Sequence, residues 1–111
     1  MKRGWQRPRF FYARRVIISY APLRDFTEVN PKVGDALDEW YFKCKAADWK
    51  SLADVRQSIN NVDFVGNDRY VFNIKGNHYR LVAMIFFSRR TVYIRFIGTH
   101  QEYDKIDVST I

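Results

Sequence analysis

The sequence predicts an α+β domain in which an N-terminal strand and two to three helices pack on a C-terminal antiparallel β-sheet. Helical spacing of apolar residues is confined to the first half of the chain, whereas residues 69–97 alternate in the manner of strands and are divided by short turn signals. With 111 residues, of which 47% are hydrophobic, the chain is long enough for one domain with a modest core.

The predicted elements follow in order along the chain. Residues 1–14 are a basic N-terminal extension, predicted to be disordered, residues 15–107 form the domain, and residues 108–111 are a loose tail. A strand at 15–20 precedes helices at 22–29, 32–47 and 51–59, the last with Ser51 as N-cap and Asp54 imitating a capping box. A short strand at 62–65 leads into the sheet, and Thr99 can cap a final short helix.

Three long strands are predicted at 69–75, 78–87 and 91–97, with turns at residues 76–77 and near 89–90. Two-residue hairpin loops place three pairs opposite one another: Asn73 with Arg80, Met84 with Arg95, and Phe86 with Tyr93. One face then carries the core residues Tyr70, Phe72, Ile74, Leu81, Ala83, Ile85, Phe87, Val92, Ile94 and Phe96. The other face collects Arg69, Asn73, Lys75, His78, Arg80, Tyr93 and Arg95, with Val71, Val82, Met84 and Phe86 between them.

Charge is distributed unevenly. The net charge of +7 arises largely in residues 1–15, which hold six cations and no acid, and nine of the twelve acids lie between Asp25 and Asp68. From Arg69 to Gln101 there are six Arg or Lys residues, two His and no acid. A sheet with an acid-free stretch of cations is a natural surface for a polyanion, and nucleic acid is the nearest one in a cell.

Several function classes have no support in the sequence. The single cysteine, Cys44, excludes an internal disulfide and a cysteine-based zinc site, and its helical setting predicts a packed thiol. There is no apolar run of membrane-spanning length, so we expect a cytoplasmic protein. Phosphate-binding loops, dinucleotide fingerprints and metal-spaced clusters are missing from the sequence, which predicts no cofactor.

What remains is a set of Arg, Lys, His and Tyr side chains suited to metal-free chemistry at a phosphodiester. Arg80 and Arg95 interrupt apolar strands at central positions, where guanidinium groups could clamp a phosphate; a solvated sheet face with stray arginines explains them equally well. His100 and Tyr103 share one side of a helical turn at the end of the sheet and are candidate proton carriers. Arg89 and Arg90 are interpreted as simple solvated charges.

Two longer motifs resemble the HigB-type toxins of the RelE/ParE-like superfamily. They are residues 70–82 (YVFNIKGNHYRLV) and 92–106 (VYIRFIGTHQEYDKI). Shorter agreeing pieces are residues 37–41 (LDEWY), 46–49 (AADW) and 54–56 (DVR). The resemblance spans about residues 15–107, nearly the whole domain, and two motifs of this length in the right order are specific.

This resemblance implies a RelE-like fold and the toxin of a type II toxin–antitoxin pair, a class that cleaves mRNA, usually in the ribosomal A site. It also implies a HigA-like antitoxin with a helix-turn-helix, and a joint complex that binds operator DNA. The implied reaction is metal-free attack of the ribose 2′-OH on the adjacent phosphate. Carried over by position, the catalytic residues are Arg80, Arg95, His100 and Tyr103, and the RNA contacts are Asn73, Lys75 and Asn77, with Tyr93 as a candidate base-stacking residue.

Two readings of function therefore stay open. The first is an mRNA endonuclease toxin; the second is a non-catalytic nucleic-acid-binding or interaction module, or a toxin with another target such as gyrase. A binding module needs only the cations, whereas an endonuclease also needs a proton carrier beside them.

Overall fold

The computed structural model describes residues 16–111, so the predicted basic extension lies outside the described residues. The strands are β1 (Ile17–Ile18), β2 (Val62–Phe64), β3 (Arg69–Ile74), β4 (Tyr79–Phe86) and β5 (Thr91–Thr99). The α-helices are α1 (Ala21–Val29), α2 (Gly34–Ala46), α3 (Leu52–Ser58) and α4 (His100–Tyr103), with short 3₁₀ turns at Pro31–Val33 and Phe87–Arg89. The predicted α+β class is confirmed, and none of the helices in residues 16–111 is long and apolar enough to cross a membrane.

The five strands form one sheet in the order β1-β5-β4-β3-β2. Strands β2 to β5 are antiparallel, as predicted, but β1 pairs in parallel with β5, opposite Thr91 and Val92. The sheet is therefore mixed. A hairpin turn forces antiparallel pairing, whereas β1 is separated from β5 by helices α1 to α3 and strands β2 to β4, so its direction is free of that constraint.

Helices α1, α2 and α3 cover one face of the sheet and enclose the main core. In α2, the buried residues Leu37, Trp40 and Cys44 recur at the three- and four-residue spacing predicted for its apolar side. The Trp40 ring meets Phe72 of β3 edge-on, with ring centroids 5.3 Å apart. This packing fixes which face of β3 is buried, and so which face is left for polar side chains.

The first long hairpin has the predicted register. Asn73 of β3 lies opposite Arg80 of β4. The turn between them spans residues 75–78, with Lys75 and Gly76 at φ angles of 54° and 66°. Glycine takes such left-handed angles without steric cost, which explains its place at this tip.

The predicted register of the second hairpin is wrong. Met84 pairs with Tyr93 and Phe86 with Thr91, because residues 87–90 form a longer turn than the predicted two-residue loop. Farther from the turn, a β-bulge opposite Val82 and Ala83 adds one residue to β5. The turn is a 3₁₀ segment rather than a two-residue loop, and it ends in Arg90 with a left-handed φ of 51°. An inserted residue shifts every later side chain on its strand by one position.

The bulge changes the composition of both sheet faces. Ile97, not Phe96, lies opposite Leu81 and packs against the core, while Phe96 pairs with Val82 on the second face. That second face is not wholly solvated, because Val71 and Val82 are buried there outside the main core cluster. A cover over this face is therefore part of the fold.

Three smaller predictions also differ from the structure. The Ser51 side chain makes no capping hydrogen bond; instead the Asp54 carboxylate accepts from the Lys50 N–H at 2.8 Å. Arg90 is not a simple solvated charge, since its guanidinium pairs with the Asp48 carboxylate at 2.5 Å. Residues 108–111 are not loose, because hydrogen bonds tie them to the start of β3.

Candidate active site

Arg80 is the centre of the candidate site. It lies half-buried on the second face near the start of the central strand β4, with Asn73 of β3 on one side and Gly98 of β5 on the other. Its guanidinium carbon is 6.0 Å from the centroid of the Tyr103 ring, a cation–π distance. Its Nη1 also donates two long hydrogen bonds of 3.4 Å, to the carbonyl oxygens of Asn77 and Tyr79. Within residues 16–111 no carboxylate pairs with Arg80, so its charge is available to an anion.

A capping box holds the short helix that carries His100 and Tyr103. The Thr99 hydroxyl accepts from the Glu102 N–H at 3.1 Å, and the Glu102 carboxylate accepts from the Thr99 N–H at 2.8 Å. These two bonds satisfy backbone donors that a four-residue helix cannot satisfy internally. The cap therefore fixes the turn from which both candidate proton carriers project.

Hydrogen bonds also join this helix to the first hairpin turn. The His100 N–H donates to the His78 carbonyl oxygen at 3.1 Å, and His78 Nδ1 lies 3.0 Å from the Lys75 carbonyl oxygen. The His100 Nε2 is 3.9 Å from Oδ2 of Asp104, an ion pair when the imidazole is protonated. The imidazole is about half exposed to solvent.

Gly98 and Phe96 also belong to this candidate site, although neither was predicted from the sequence as a site residue. A Cβ at Gly98 would lie 2.6 Å from Cζ of Phe96 and 2.8 Å from Oε1 of Glu102. Only glycine therefore lets the Phe96 ring lie beside the capping carboxylate, and that ring is 6.3 Å from the Tyr103 ring. The Thr-x-x-Glu signature directly after Gly98 was the signal in the sequence that a fixed helix start follows there.

Arg95 and Tyr93 lie earlier on β5 than Gly98, the cross-strand partner of Arg80. Arg95 is the extra residue of the bulge, and it lines an open groove of about 520 Å³ between β5 and α1, which is also lined by Pro22, Phe26, Phe96 and Glu102. Bulges near functional sites commonly redirect a side chain. Tyr93 is 49% exposed and lies opposite Met84, four residues along β4 from Arg80, or about 13 Å along the strand.

The three predicted RNA contacts lie around the first hairpin. Asn73 is the direct cross-strand partner of Arg80, and Lys75 and Asn77 are exposed in the turn. Asn73 and Lys75 also line a second cleft of about 250 Å³ that reaches α2 at Trp40. The structure thus gathers Arg80, Tyr103, His100 and these three residues at one end of the sheet.

The chemistry available here is that of cations and proton carriers. Within residues 16–111 no group of three or more His, Cys, Asp or Glu side chains could hold a metal ion. Cys44 takes no part, since it is buried in the core and burial raises the pKa of its thiol far above the ordinary value. A guanidinium can bind and neutralise a phosphodiester, and a His or Tyr beside it can transfer a proton.

Comparisons of the chain with a family model and with known proteins indicate the same family. Residues 33–106 match the HigB_toxin family, described as the RelE-like toxic component of a toxin–antitoxin system. The mRNA interferase toxin HigB of Escherichia coli K12 is 36% identical over 95 residues, covering 79% of this chain and 86% of that protein. The mRNA interferase HigB of Escherichia coli O6:H1 is 32% identical over 92 residues, covering 81% and 89%. The chain therefore belongs to the HigB family of RelE-like toxins, the toxic components of toxin–antitoxin systems.

Proposed function

We propose that this HigB-family toxin, an mRNA interferase like its named relatives, cleaves ribosome-bound mRNA in the A site without a metal. The observation that carries the proposal is the juxtaposition of Arg80 with Tyr103, in a capped turn that also holds His100. A polyanion-binding surface alone needs no such turn. An endonuclease does, because its proton carriers must be held in a fixed position beside the phosphate.

The reaction assigns one task to each group. A base removes the proton from the ribose 2′-OH, the 2′-oxygen attacks the adjacent phosphorus, and the bond to the 5′-oxygen breaks. The products are a 2′,3′-cyclic phosphate and a 5′-hydroxyl, which receives a proton from an acid. Arg80 binds the phosphate and stabilises the charge that develops on it, while His100 and Tyr103 move the two protons. Arg95, from the adjacent groove, provides a second cation.

The first hairpin turn and the exposed ring of Tyr93 position the substrate. Asn73 and Asn77 adjoin Arg80, Lys75 lies in the same hairpin turn, and the three offer amide and ammonium donors to the RNA chain. Tyr93 offers an exposed ring for stacking a base at the far end of the same face. The distance of about 13 Å between Tyr93 and Arg80 along the strand requires more than one nucleotide to span it.

The partners follow from the family. We propose that a HigA-like antitoxin with a helix-turn-helix neutralises the toxin in the cytoplasm, and that the joint complex binds operator DNA. The membership in a toxin–antitoxin family supports an antitoxin partner. Copurification of the toxin with the product of its neighbouring gene, followed by an operator-binding assay, tests this arrangement.

The decisive experiment is induced expression in a bacterium with mapping of RNA 5′ ends. Arg80→Ala is compared with Arg89→Ala, a matched loss of one guanidinium from an exposed turn, where it lies over the Phe86 ring. We expect growth arrest and new cuts within translated mRNA for the wild type and Arg89→Ala, and neither for Arg80→Ala. Equal cutting by a folded Arg80→Ala would show that the phosphate is held elsewhere.

A second pair of variants tests proton transfer. His100→Gln is expected to reduce cleavage by about 10²–10⁴-fold, the usual range for a lost acid or base, while His78→Gln in the nearby turn leaves it nearly unchanged. If His100→Gln weakened only RNA affinity, the role of His100 would be binding. Arrest without any RNA cuts would indicate another target such as gyrase, and absence of arrest would favour a non-catalytic binding module.

A further inference from the structure

The residues after α4 cross the second face of the sheet. Residues 104–111, here called the C-terminal segment, leave α4 at the end of β5 with the Ile106 N–H bonded to the Tyr103 carbonyl oxygen at 3.2 Å. They finish at the start of β3, where Asn67 Nδ2 donates to the Ser109 carbonyl oxygen at 3.4 Å. The segment therefore runs diagonally from Arg80's end of the face to the opposite end, over the side on which Val71 and Val82 are buried.

Arg69 is the anchor of this segment. Its Nε donates to the main-chain oxygen of Ile111 at 2.8 Å, and its Nη2 donates to the same oxygen. Its Nη1 donates to the Asn67 carbonyl oxygen at 2.9 Å. Among residues 16–111 no side-chain carboxylate forms an ion pair with Arg69. The guanidinium donors of Arg69, which lies in a cation-rich face of the sheet, are thus bonded to main-chain oxygens.

The geometry of this contact is that of an anion site. Nε and Nη2 are the edge of the guanidinium that binds a carboxylate or a phosphate side-on, and here both converge on one oxygen. The Ile111 oxygen therefore occupies the position in which this edge of the guanidinium would bind a phosphodiester oxygen.

The position of Arg69 relates this site to the proposed RNA surface. Arg69 and Asn73 lie on the same face of β3, and Asn73 is the cross-strand partner of Arg80. The spacing of four residues puts Arg69 about 13 Å from the Arg80 row along the strand. Arg69 also shares a cross-strand row with Met84 and the exposed Tyr93. An RNA strand that leaves Arg80 and stacks on Tyr93 arrives beside Arg69.

We propose that Arg69 is a phosphate-binding residue of the RNA surface, and that the last residues of the C-terminal segment occupy it until RNA displaces them. The inference rests on the proposed function for its ligand, single-stranded RNA. It assigns to the segment a second role besides covering Val71 and Val82: it competes with substrate at one end of the sheet.

The test uses a chain shortened by residues 109–111, which removes both contacts of the segment with Asn67 and Arg69 and no charged side chain. The full and shortened chains are compared, each with Arg69 and with Arg69→Gln. The probe is a short single-stranded RNA with 2′-O-methyl groups, which binds but cannot be cut by 2′-OH attack. Affinity is measured between 50 and 200 mM salt.

Each phosphate contact to a single strand adds about 0.7 to the slope of log affinity against log salt. We therefore expect Arg69→Gln to reduce the slope by about 0.7 in both chains, which is about 2.5-fold less loss of affinity over this fourfold salt range. The shortened chain should bind more tightly than the full chain at each salt concentration, because no segment has to be displaced, and this advantage should disappear in the Arg69→Gln background. Equal affinities of the folded shortened chain and the full chain overturn the proposal, as does a slope that Arg69→Gln leaves unchanged.

Hydrogen exchange of the full chain gives a second measurement that does not depend on the shortened variant. Addition of the same RNA should accelerate exchange at the amides of residues 109–111 by at least severalfold, because the segment leaves Arg69. Unchanged or slower exchange with RNA bound contradicts displacement. Since the probe cannot be cleaved, binding with the expected slopes by a protein that cuts no mRNA would remove the proposed function and leave the Arg69 site.

Discussion

Replacement of Gly98 by alanine is the sharpest test of how the fold builds the site. The new Cβ would lie 2.6 Å from Cζ of Phe96 and 2.8 Å from Oε1 of Glu102, about 1 Å or more short of ordinary carbon contact. The Glu102 side chain can rotate away, but it then gives up its 2.8 Å bond to the Thr99 N–H. The Phe96 ring can also move, but it packs toward Tyr103.

Overpacking of this kind costs about 1–3 kcal/mol, and the loss of a capping interaction costs about 0.5–2 kcal/mol. The two costs do not add in full, because moving either Phe96 or Glu102 relieves some of the clash. We expect Gly98→Ala to lower the free energy of unfolding by about 2 kcal/mol, which for a chain of this size lowers Tm by about 8 °C. Urea unfolding followed by tryptophan fluorescence measures the change.

The effect on cleavage should exceed the effect on stability. Tyr103 contacts both Phe96 and Arg80, so a shift of the ring by 1 Å displaces the candidate catalytic group, and misplacement on this scale can cost about 10²-fold in rate. Phe96→Leu in the Gly98→Ala background should restore part of the stability, because it removes the atom that clashes. Wild-type stability and activity in Gly98→Ala would refute the reasoning.

Three further predictions concern the core. Leu37→Ala should destabilise the fold by about 2–5 kcal/mol in urea unfolding, whereas Phe42→Ala on the same helix, at a side chain 65% exposed, should cost less than about 1 kcal/mol. Burial, with a smaller contribution from the Asp68 carboxylate, raises the pKa of Tyr70 above its ordinary value of 10.0. The Tyr70 hydroxyl of the unfolded chain therefore ionises at a lower pH than that of the folded protein. The free energy of unfolding is unaffected below about pH 10 and falls above it. Tyr70→Phe should reduce that fall when unfolding curves are measured over a series of pH values. Because burial raises the pKa of the Cys44 thiol and the side chain is inaccessible, iodoacetamide should label it no faster than the protein unfolds; rapid labelling of native protein would contradict its burial.

Local patterns in the sequence were sufficient for the elements and the first hairpin. The spacing of Leu37, Trp40 and Cys44 predicted the buried side of α2, and alternation with a Gly-containing turn placed Asn73 opposite Arg80. These features depend on residues within a few positions of one another. Periodicity and turn chemistry report such short-range constraints directly.

Local sequence patterns did not predict the register of the second hairpin. Residues 91–97 alternate well enough for either register, and the bulge that redirects Arg95 is decided by packing: Ile97 enters the core beside Leu81, and Phe96 lies against Val82. The parallel pairing of β1 with β5 and the pairing of Arg90 with Asp48 likewise join residues far apart in the chain. No periodicity encodes contacts of that range.

The sequence by itself determined the fold class, the apolar sides of the helices, and the cations and proton carriers from which a metal-free RNA-cleaving site would be built. The tertiary structure decided which of them meet: Arg80 with Tyr103, beside Phe96 and Gly98, while Arg95 lines the groove next to α1 and Arg69 holds Ile111. The physical reason is that side-chain chemistry belongs to each residue, whereas proximity across the sheet depends on register. Register, in turn, is set by the total packing of a core whose members come from the whole chain.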